Sequence, residues 1–185
     1  RAALLSFIPT LLLTGFVTSF SPAMAQLTDL NQTDNSTLAV NQAQIQKADI
    51  GTEKSNWLSY GQGYYEQRHS SLEQINRENV EQLKLAWFFD TGNNKGLQAT
   101  PIVIDGVMYV TAAWSVVHAL DAQTGKELWR FDPQVPKDQS FRFCCGVINR
   151  GVAAWGHSIY VGTLDGRLIA IDRRSGEQRW SVQTT

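Results

Sequence analysis

Two stretches of this chain are in register with one another, and that repeat limits the fold more than any other feature. From Tyr109, steps of ten, twelve, sixteen and twenty residues reach Ala119, Asp121, Gly125 and Trp129; from Tyr160 the same steps reach Ala170, Asp172, Gly176 and Trp180. The copies read YVTAAWSVVHALDAQTGKELW and YVGTLDGRLIAIDRRSGEQRW, and Trp87 with the following Phe89-Asp90-Thr91-Gly92 reads as the end of an earlier unit. Trp87 to Trp129 spans 42 residues and Trp129 to Trp180 spans 51. A period of about 40 to 50 residues with several short strands per unit is that of propeller blades, roughly four strands each. A β-sandwich with two similar hairpins is the alternative, and it gives no reason for five matches at fixed offsets.

The texture agrees with an all-β fold. Alternating apolar and polar runs, cut by Asp-Gly and Thr-Gly pairs, predict strands over 85–91, 101–104, 107–111, 116–119, 127–131, 151–154, 158–162, 168–171 and 178–182. Asp121 and Asp172 are placed to accept backbone amides of the turn that follows, and Gly125 and Gly176 to supply positive φ there. These aspartates belong to the repeat and are not candidates for acid or base. The Trp closing each repeat is expected to stack on the next blade, burying about 150–250 Å². A short helix or helical turn is expected over 77–83 with Asn76 as N-cap, and no long helix after residue 84.

The first residues read differently. Arg1, a largely apolar run over 4–20 and the small-residue stretch Ser21-Pro22-Ala23-Met24-Ala25 have the layout of a secretory signal peptide cleaved after Ala25. A membrane anchor is the alternative; Pro9 and Pro22 interrupt the run, which falls short of the ~20 apolar residues that span a bilayer. The mature protein is therefore expected outside the cytoplasm. Residues 26–52, rich in Asn, Gln, Thr and Asp, show neither helical nor strand periodicity and read as a leader hugging the surface without a core of its own. A net charge of −1, from 16 basic and 17 acidic residues mixed along the chain, offers no footprint for nucleic acid.

Three motifs carry a family resemblance that covers essentially all of residues 56–185. The first is Asn56-Trp57-Leu58-Ser59-Tyr60-Gly61, with Leu72-x-Gln74-Ile75-Asn76-x-x-Asn79-Val80-x-x-Leu83-x-x-Ala86-Trp87 and Thr91-Gly92 after it. The second is Ala99-Thr100-Pro101 with Asp105-Gly106-Val107-Met108-Tyr109 and Ser115-Val116-Val117-x-Ala119-Leu120-Asp121. The third and most specific is Cys144-Cys145 with Asn149-Arg150-Gly151. Together they resemble the N-terminal part of the pyrroloquinoline quinone (PQQ) dependent methanol/ethanol dehydrogenases, in a version closer to the quinohaemoprotein alcohol dehydrogenases.

The resemblance implies an eight-bladed β-propeller with tryptophan-docking repeats, of which this chain supplies about two to three blades. Residues 1–25 are then signal peptide, 26–55 leader, and 56–185 an incomplete PQQ-type propeller, expected to be inactive alone. It also implies PQQ near the propeller axis with calcium beside the quinone, and oxidation of a primary alcohol to an aldehyde by hydride transfer to PQQ. A periplasmic setting, on or off the inner membrane, and an electron acceptor such as a c-type cytochrome or quinone go with it. The calcium ligands and the base for the alcohol proton are expected beyond Thr185, so no catalytic or metal-binding residue is assigned. No Cys-x-x-Cys-His stands in this stretch, which leaves a haem c domain open. His69, His118 and His157 are isolated and read as strand or loop residues, not ligands.

Four residues are candidates for cofactor binding. By themselves Cys144 and Cys145, the only cysteines, leave two readings open: a bond between neighbours, which forces an eight-membered ring, or two unpaired buried thiols. The resemblance implies the ring, a flat surface against one face of PQQ. PQQ carries three carboxylates, and the resemblance gives Arg150, with its planar fork of donors, the role of binding one. Gln98 departs from the pattern, since the family usually has glutamate before Ala-Thr-Pro; an amide still accepts and donates and adds no charge beside the carboxylates. Gly146, where Asp is common, is a second departure. The rival function is a non-catalytic tryptophan-repeat propeller, a scaffold for outer-membrane assembly, which would have no ring to press a Cys pair against. Sugar oxidation is disfavoured because the Cys pair belongs to the alcohol branch of the resemblance.

Overall fold

The alternating runs fold as two four-stranded antiparallel sheets, each in the simple order of the chain. The computed structural model describes residues 39–143 and 145–185, all within one unit, Ser36–Thr185. The expected signal peptide and the first part of the leader lie outside them. The first sheet comprises β1 (Ile102–Ile104), β2 (Val107–Thr111), β3 (Val117–Asp121) and β4 (Glu127–Phe131). The second comprises β5 (Ala153–Trp155), β6 (Ser158–Gly162), β7 (Arg167–Asp172) and β8 (Gln178–Gln183). These are two blades, and their strands lie within about two residues of the expected spans.

The repeat is a register. Tyr109, Ala119 and Trp129 stand opposite one another across β2, β3 and β4, and Tyr160, Ala170 and Trp180 do so across β6, β7 and β8. Small Ala in the middle lets the flanking rings meet, with centroids 5.8 Å apart in the first blade and 5.9 Å in the second. The turn between β3 and β4 is organised as expected. The Asp121 carboxylate accepts the Gln123 and Thr124 amides and the Thr124 hydroxyl, while the Gly125 amide closes onto the Asp121 carbonyl at φ +72°. In the second blade Asp172 accepts the Arg174 and Ser175 amides, and the Gly176 amide closes onto the Asp172 carbonyl.

The glycines do more than supply positive φ. Trp87 lies flat on Gly125 and Trp129 lies flat on Gly176, close enough that a Cβ would stand 2.4 Å and 2.7 Å from ring carbons. Each indole N–H donates to a carbonyl of the same turn, Trp87 to Ala122 at 3.2 Å and Trp129 to Arg173 at 3.1 Å. The joint between blades is therefore one Trp set into a glycine-floored turn of the next unit. Arg173, 6% exposed, also reaches back to Asp105 at 3.3 Å, in the β1–β2 turn. The interior is aliphatic and runs through both blades: Ile102, Ile104, Val117, Ile159, Val161, Ile169 and Ile171 are fully buried.

Burial works against ionisation of Asp172, but hydrogen bonds from Arg179, Ser175 and Arg174 outweigh it and hold its carboxyl at about 2, below the ordinary 3.8. A depressed folded-state value stabilises above the unfolded one, so this contribution is complete above about pH 4 and is lost as pH falls toward about 2. For a partly exposed pair the screened loss is about 1 kcal/mol. Acid unfolding of Asp172→Asn should show a correspondingly smaller loss over that window; an unchanged slope would deny the pair its role.

The helical turn expected over 77–83 is present as a turn over 77–79 that runs into a 3₁₀ segment, Val80–Gln82, and Asn76 heads it, its side chain accepting the Glu78 amide and its carbonyl the Val80 amide. Two expectations need correction. Residues 85–91 form no strand: no described strand pairs with them, and Trp87 and Phe89 pack inward while Leu85 and Phe88 are 80% exposed. The described part of the leader holds a helix, α1 (Gln42–Asp49), that lacks a periodic apolar face. Asn41 caps it by accepting the Gln44 amide, and it docks through the buried Ile45 and Ala48 and through Asp49, whose carboxylate accepts the Tyr65 amide at 3.0 Å. On either side of α1 the chain is pinned to the sheets, Val40 pairing with Gly156 and Trp57 with Val103. Among the described residues no helix is long and apolar enough to cross a membrane.

Candidate functional site

Residues 132–152 join the two blades and form the longest connection after β1; loops of this length in a packed domain usually serve a function. The connection is tied down along its length. Arg167 donates to the Pro133 carbonyl at 2.7 Å, the Trp114 amide to the Val147 carbonyl at 2.8 Å, and the Thr111 hydroxyl to the Asn149 carbonyl at 3.3 Å. The Thr100 amide donates to the Arg150 carbonyl at 3.1 Å. At Gly151, φ is +135° and a Cβ would stand 2.9 Å from the Thr100 carbonyl oxygen, so only glycine lets the two segments close this far.

Two of the sequence candidates are thereby brought together. Gln98 precedes Thr100 by two residues, and Arg150 is the residue whose carbonyl Thr100 binds. Both side chains are exposed. Arg150 lines a cleft of about 540 Å³ with Tyr60, Asn149, Gly151 and Tyr160. Its guanidinium has no hydrogen-bond or ion-pair partner among the described residues. Cys145 is exposed on the same connection; Cys144, and with it the expected ring between neighbouring cysteines, lies outside the described residues. His118 is not presented to the cleft: it is buried in β3, its Nδ1 2.6 Å from Glu127 and its ring edge-on to Phe89. Among the described residues no three His, Cys, Asp or Glu side chains gather into a metal site.

Sequence reasoning overlooked Tyr60 and the turn at Trp114 and Ser115. Tyr60 faces the cleft with the Arg68 guanidinium 4.6 Å from its ring centroid. Hydrogen bonding with Thr100, then with Arg68, and the Arg68 charge hold its phenol below the usual tyrosine range. Trp114 and Ser115 occupy the left-handed region at φ +64° and +59°, which no local pattern of glycine or asparagine announces. A buried Ser115 amid the apolar Ala112-Ala113-Trp114 and Val116-Val117 was the available signal.

The cleft suits a flat, anionic organic group. Its volume falls within the ~300–1,000 Å³ of small-molecule sites, and it is lined by the fork of Arg150, without a partner among the described residues, and by two tyrosines, Tyr60 and Tyr160. PQQ, planar with three carboxylates, fits that donor set.

The comparisons agree. The family model described as "PQQ: Glucose/ethanol/alcohol dehydrogenase, beta-propeller domain" matches residues 57–181. Quinohemoprotein alcohol dehydrogenase ADH IIB of Pseudomonas putida is 56% identical over 129 residues, covering 70% of this chain and 19% of its own. The dehydrogenase subunit of alcohol dehydrogenase (quinone) of Komagataeibacter europaeus is 54% identical over 129 residues, 70% of this chain and 18% of its own. The solved structure of quinohemoprotein alcohol dehydrogenase ADHIIG from Pseudomonas putida HK5 superposes with a TM-score of 0.77 at 49% identity, over 80% of this chain and 22% of that one. The chain thus spans about a fifth of the length of the relatives it matches. On its repeat, its two blades and these matches, the chain belongs to the PQQ-dependent alcohol dehydrogenase family of β-propellers.

Proposed function

We propose that this chain is part of a periplasmic, PQQ- and calcium-dependent dehydrogenase that oxidises primary alcohols, and that it forms one wall of the PQQ pocket. The observation that carries the reading is Arg150: an exposed, unpaired guanidinium at a cleft, on backbone bound to the Gln98–Thr100 segment. PQQ when bound supplies the acceptor for the alcohol's hydride. Arg150 binds and orients a cofactor carboxylate, Gln98 contacts the cofactor from the adjoining segment, and Cys144 with Cys145 forms a flat surface against the ring. Neither the calcium ligands nor the base for the alcohol proton is assigned to a described residue. Electrons leave to a c-type cytochrome or quinone, in keeping with the names of the relatives, and a signal peptide over 1–25 directs export. The scaffold alternative has no comparable support, since relatives near 50% identity bear dehydrogenase names.

The test uses the full-length protein that contains this chain. With PQQ, calcium and ethanol it should reduce an electron-accepting dye, and PQQ titration should show saturable uptake. Arg150→Ala should weaken PQQ binding about 30-fold, the equivalent of roughly 2 kcal/mol for a charge-assisted hydrogen bond. Arg150→Lys should recover part of that, keeping the charge but not the fork. An Arg150→Ala protein that binds PQQ like the wild type would remove the central support.

A further inference from the structure

We propose that Asn149 is a positioning residue for Arg150, pinning its backbone to both blades so that the guanidinium is held at the cleft. The inference rests on the reading of Arg150 as a PQQ ligand. The Asn149 side chain spends every bond on the frame around Arg150. Its Oδ1 accepts the Gly151 amide at 3.0 Å, and its Nδ2 donates to the Ser115 hydroxyl at 3.1 Å, in the first blade, and to the Gly162 carbonyl at 2.8 Å, in the second. Its own carbonyl accepts the Thr111 hydroxyl, and the next carbonyl, that of Arg150, accepts the Thr100 amide. Arg150 is thus flanked on both sides by fixed backbone while its side chain stays exposed.

The partner turn is shaped for this contact. Trp114 and Ser115 are successive non-glycine residues at positive φ, a conformation that costs about 1 kcal/mol or more each. It is held by the Trp114 amide bond to Val147 and by the Asn149 bond to a wholly buried Ser115. Backbone strain that persists at a turn is over-determined by its surroundings, and here the surroundings are the connection that bears Arg150. A group whose own orientation is fixed by such partners binds with less loss of freedom.

A double-mutant cycle on the full-length protein tests this, with PQQ affinity read by titration. If Asn149 acts through Arg150, Asn149→Ala should weaken PQQ binding about 10-fold when Arg150 is present and less than about 2-fold when Arg150 is Ala. Without cofactor, Asn149→Ala should also speed hydrogen exchange of the Gly151 and Thr100 amides, leaving those of β2 and β3 unchanged. Equal losses in both backgrounds, or unchanged affinity despite faster exchange, would overturn the assignment. Should Asn149→Ala fail to fold, Ser115→Ala, which removes one of its hydrogen-bond partners, is judged by the same two readouts. Wild-type protein that takes up no PQQ would overturn the functional reading and this inference together; wild-type uptake with an indifferent Asn149→Ala would overturn this inference alone.

Discussion

Gly176→Ala should destabilise the protein by about 3 kcal/mol, and Gly125→Ala by at least as much. Two effects add at each position. The left-handed backbone, φ +77° and +72°, costs an alanine about 1 kcal/mol. The new methyl would also stand 2.7 Å from a ring carbon of Trp129, or 2.4 Å from one of Trp87, so the indole must lift; overpacking of that kind costs about 1–3 kcal/mol. Gly106 isolates the first effect: it has φ +75° but nothing within 4 Å of a Cβ, so Gly106→Ala should lose only about 1 kcal/mol. Urea unfolding followed by tryptophan fluorescence ranks the three. If all three alanines lose the same amount, the turns need glycine for their backbone alone and the docking of the indoles contributes nothing.

Trp129→Ala should lose about 4 kcal/mol, at the level of aromatic truncations in cores. The indole packs on Tyr109, covers Gly176 and gives its N–H to the Arg173 carbonyl, to which the Tyr109 hydroxyl also donates at 3.3 Å. Trp129→Phe keeps a ring but no donor and should lose less, with about 1 kcal/mol of it from the missing hydrogen bond. Trp180→Ala is the informative contrast in this chain. Trp180 has the same register and meets Tyr160 in the same way, yet it is 43% exposed and no described glycine turn receives it. It should lose less than Trp129→Ala; the opposite order would mean that the stability lies in the Tyr–Trp pairs within blades and not in the joint between them. Because Trp129 and Gly176 share one joint, the double substitution should lose less than the sum of the two.

The blades were legible because a cross-strand register repeats in the sequence: Tyr, Ala and Trp ten residues apart face one another only when two hairpins are folded. What was not legible depended on partners remote in sequence. The second duty of Gly125 is set by Trp87 and that of Gly176 by Trp129, neither of them in its own turn. The helix α1 escaped notice because Ile45 and Ala48 are its only buried residues, too few to make a period. The run over 85–91 alternates like a strand, but pattern describes a face and a ladder needs a neighbour. In the candidate site, Arg150 and Gln98 could be named from their motifs. That their segments touch follows from the Thr100–Arg150 bond, and that Asn149 frames them follows from contacts 34 residues back to Ser115 and 13 forward to Gly162. The unequal repeat did hint at the site: the Tyr-to-Trp span is 20 residues in both blades, whereas Trp129 to Tyr160 takes 31 against 22 for Trp87 to Tyr109. The whole excess falls in the connection that carries Cys145 and Arg150.

The pinning of the segment before the blades sets a chronology. Trp57 pairs with Val103, whereas Val40, earlier in the chain, pairs with Gly156. A chain made from its N-terminus therefore completes the later-starting attachment first, and residue 40 has no partner until residue 156 has been made. Long separations of this kind slow folding, because the loop must close before its contact rewards it. Until the second blade forms, the stretch around α1 stays unattached at its near end and open to proteases, and its protection from digestion would report that blade's arrival.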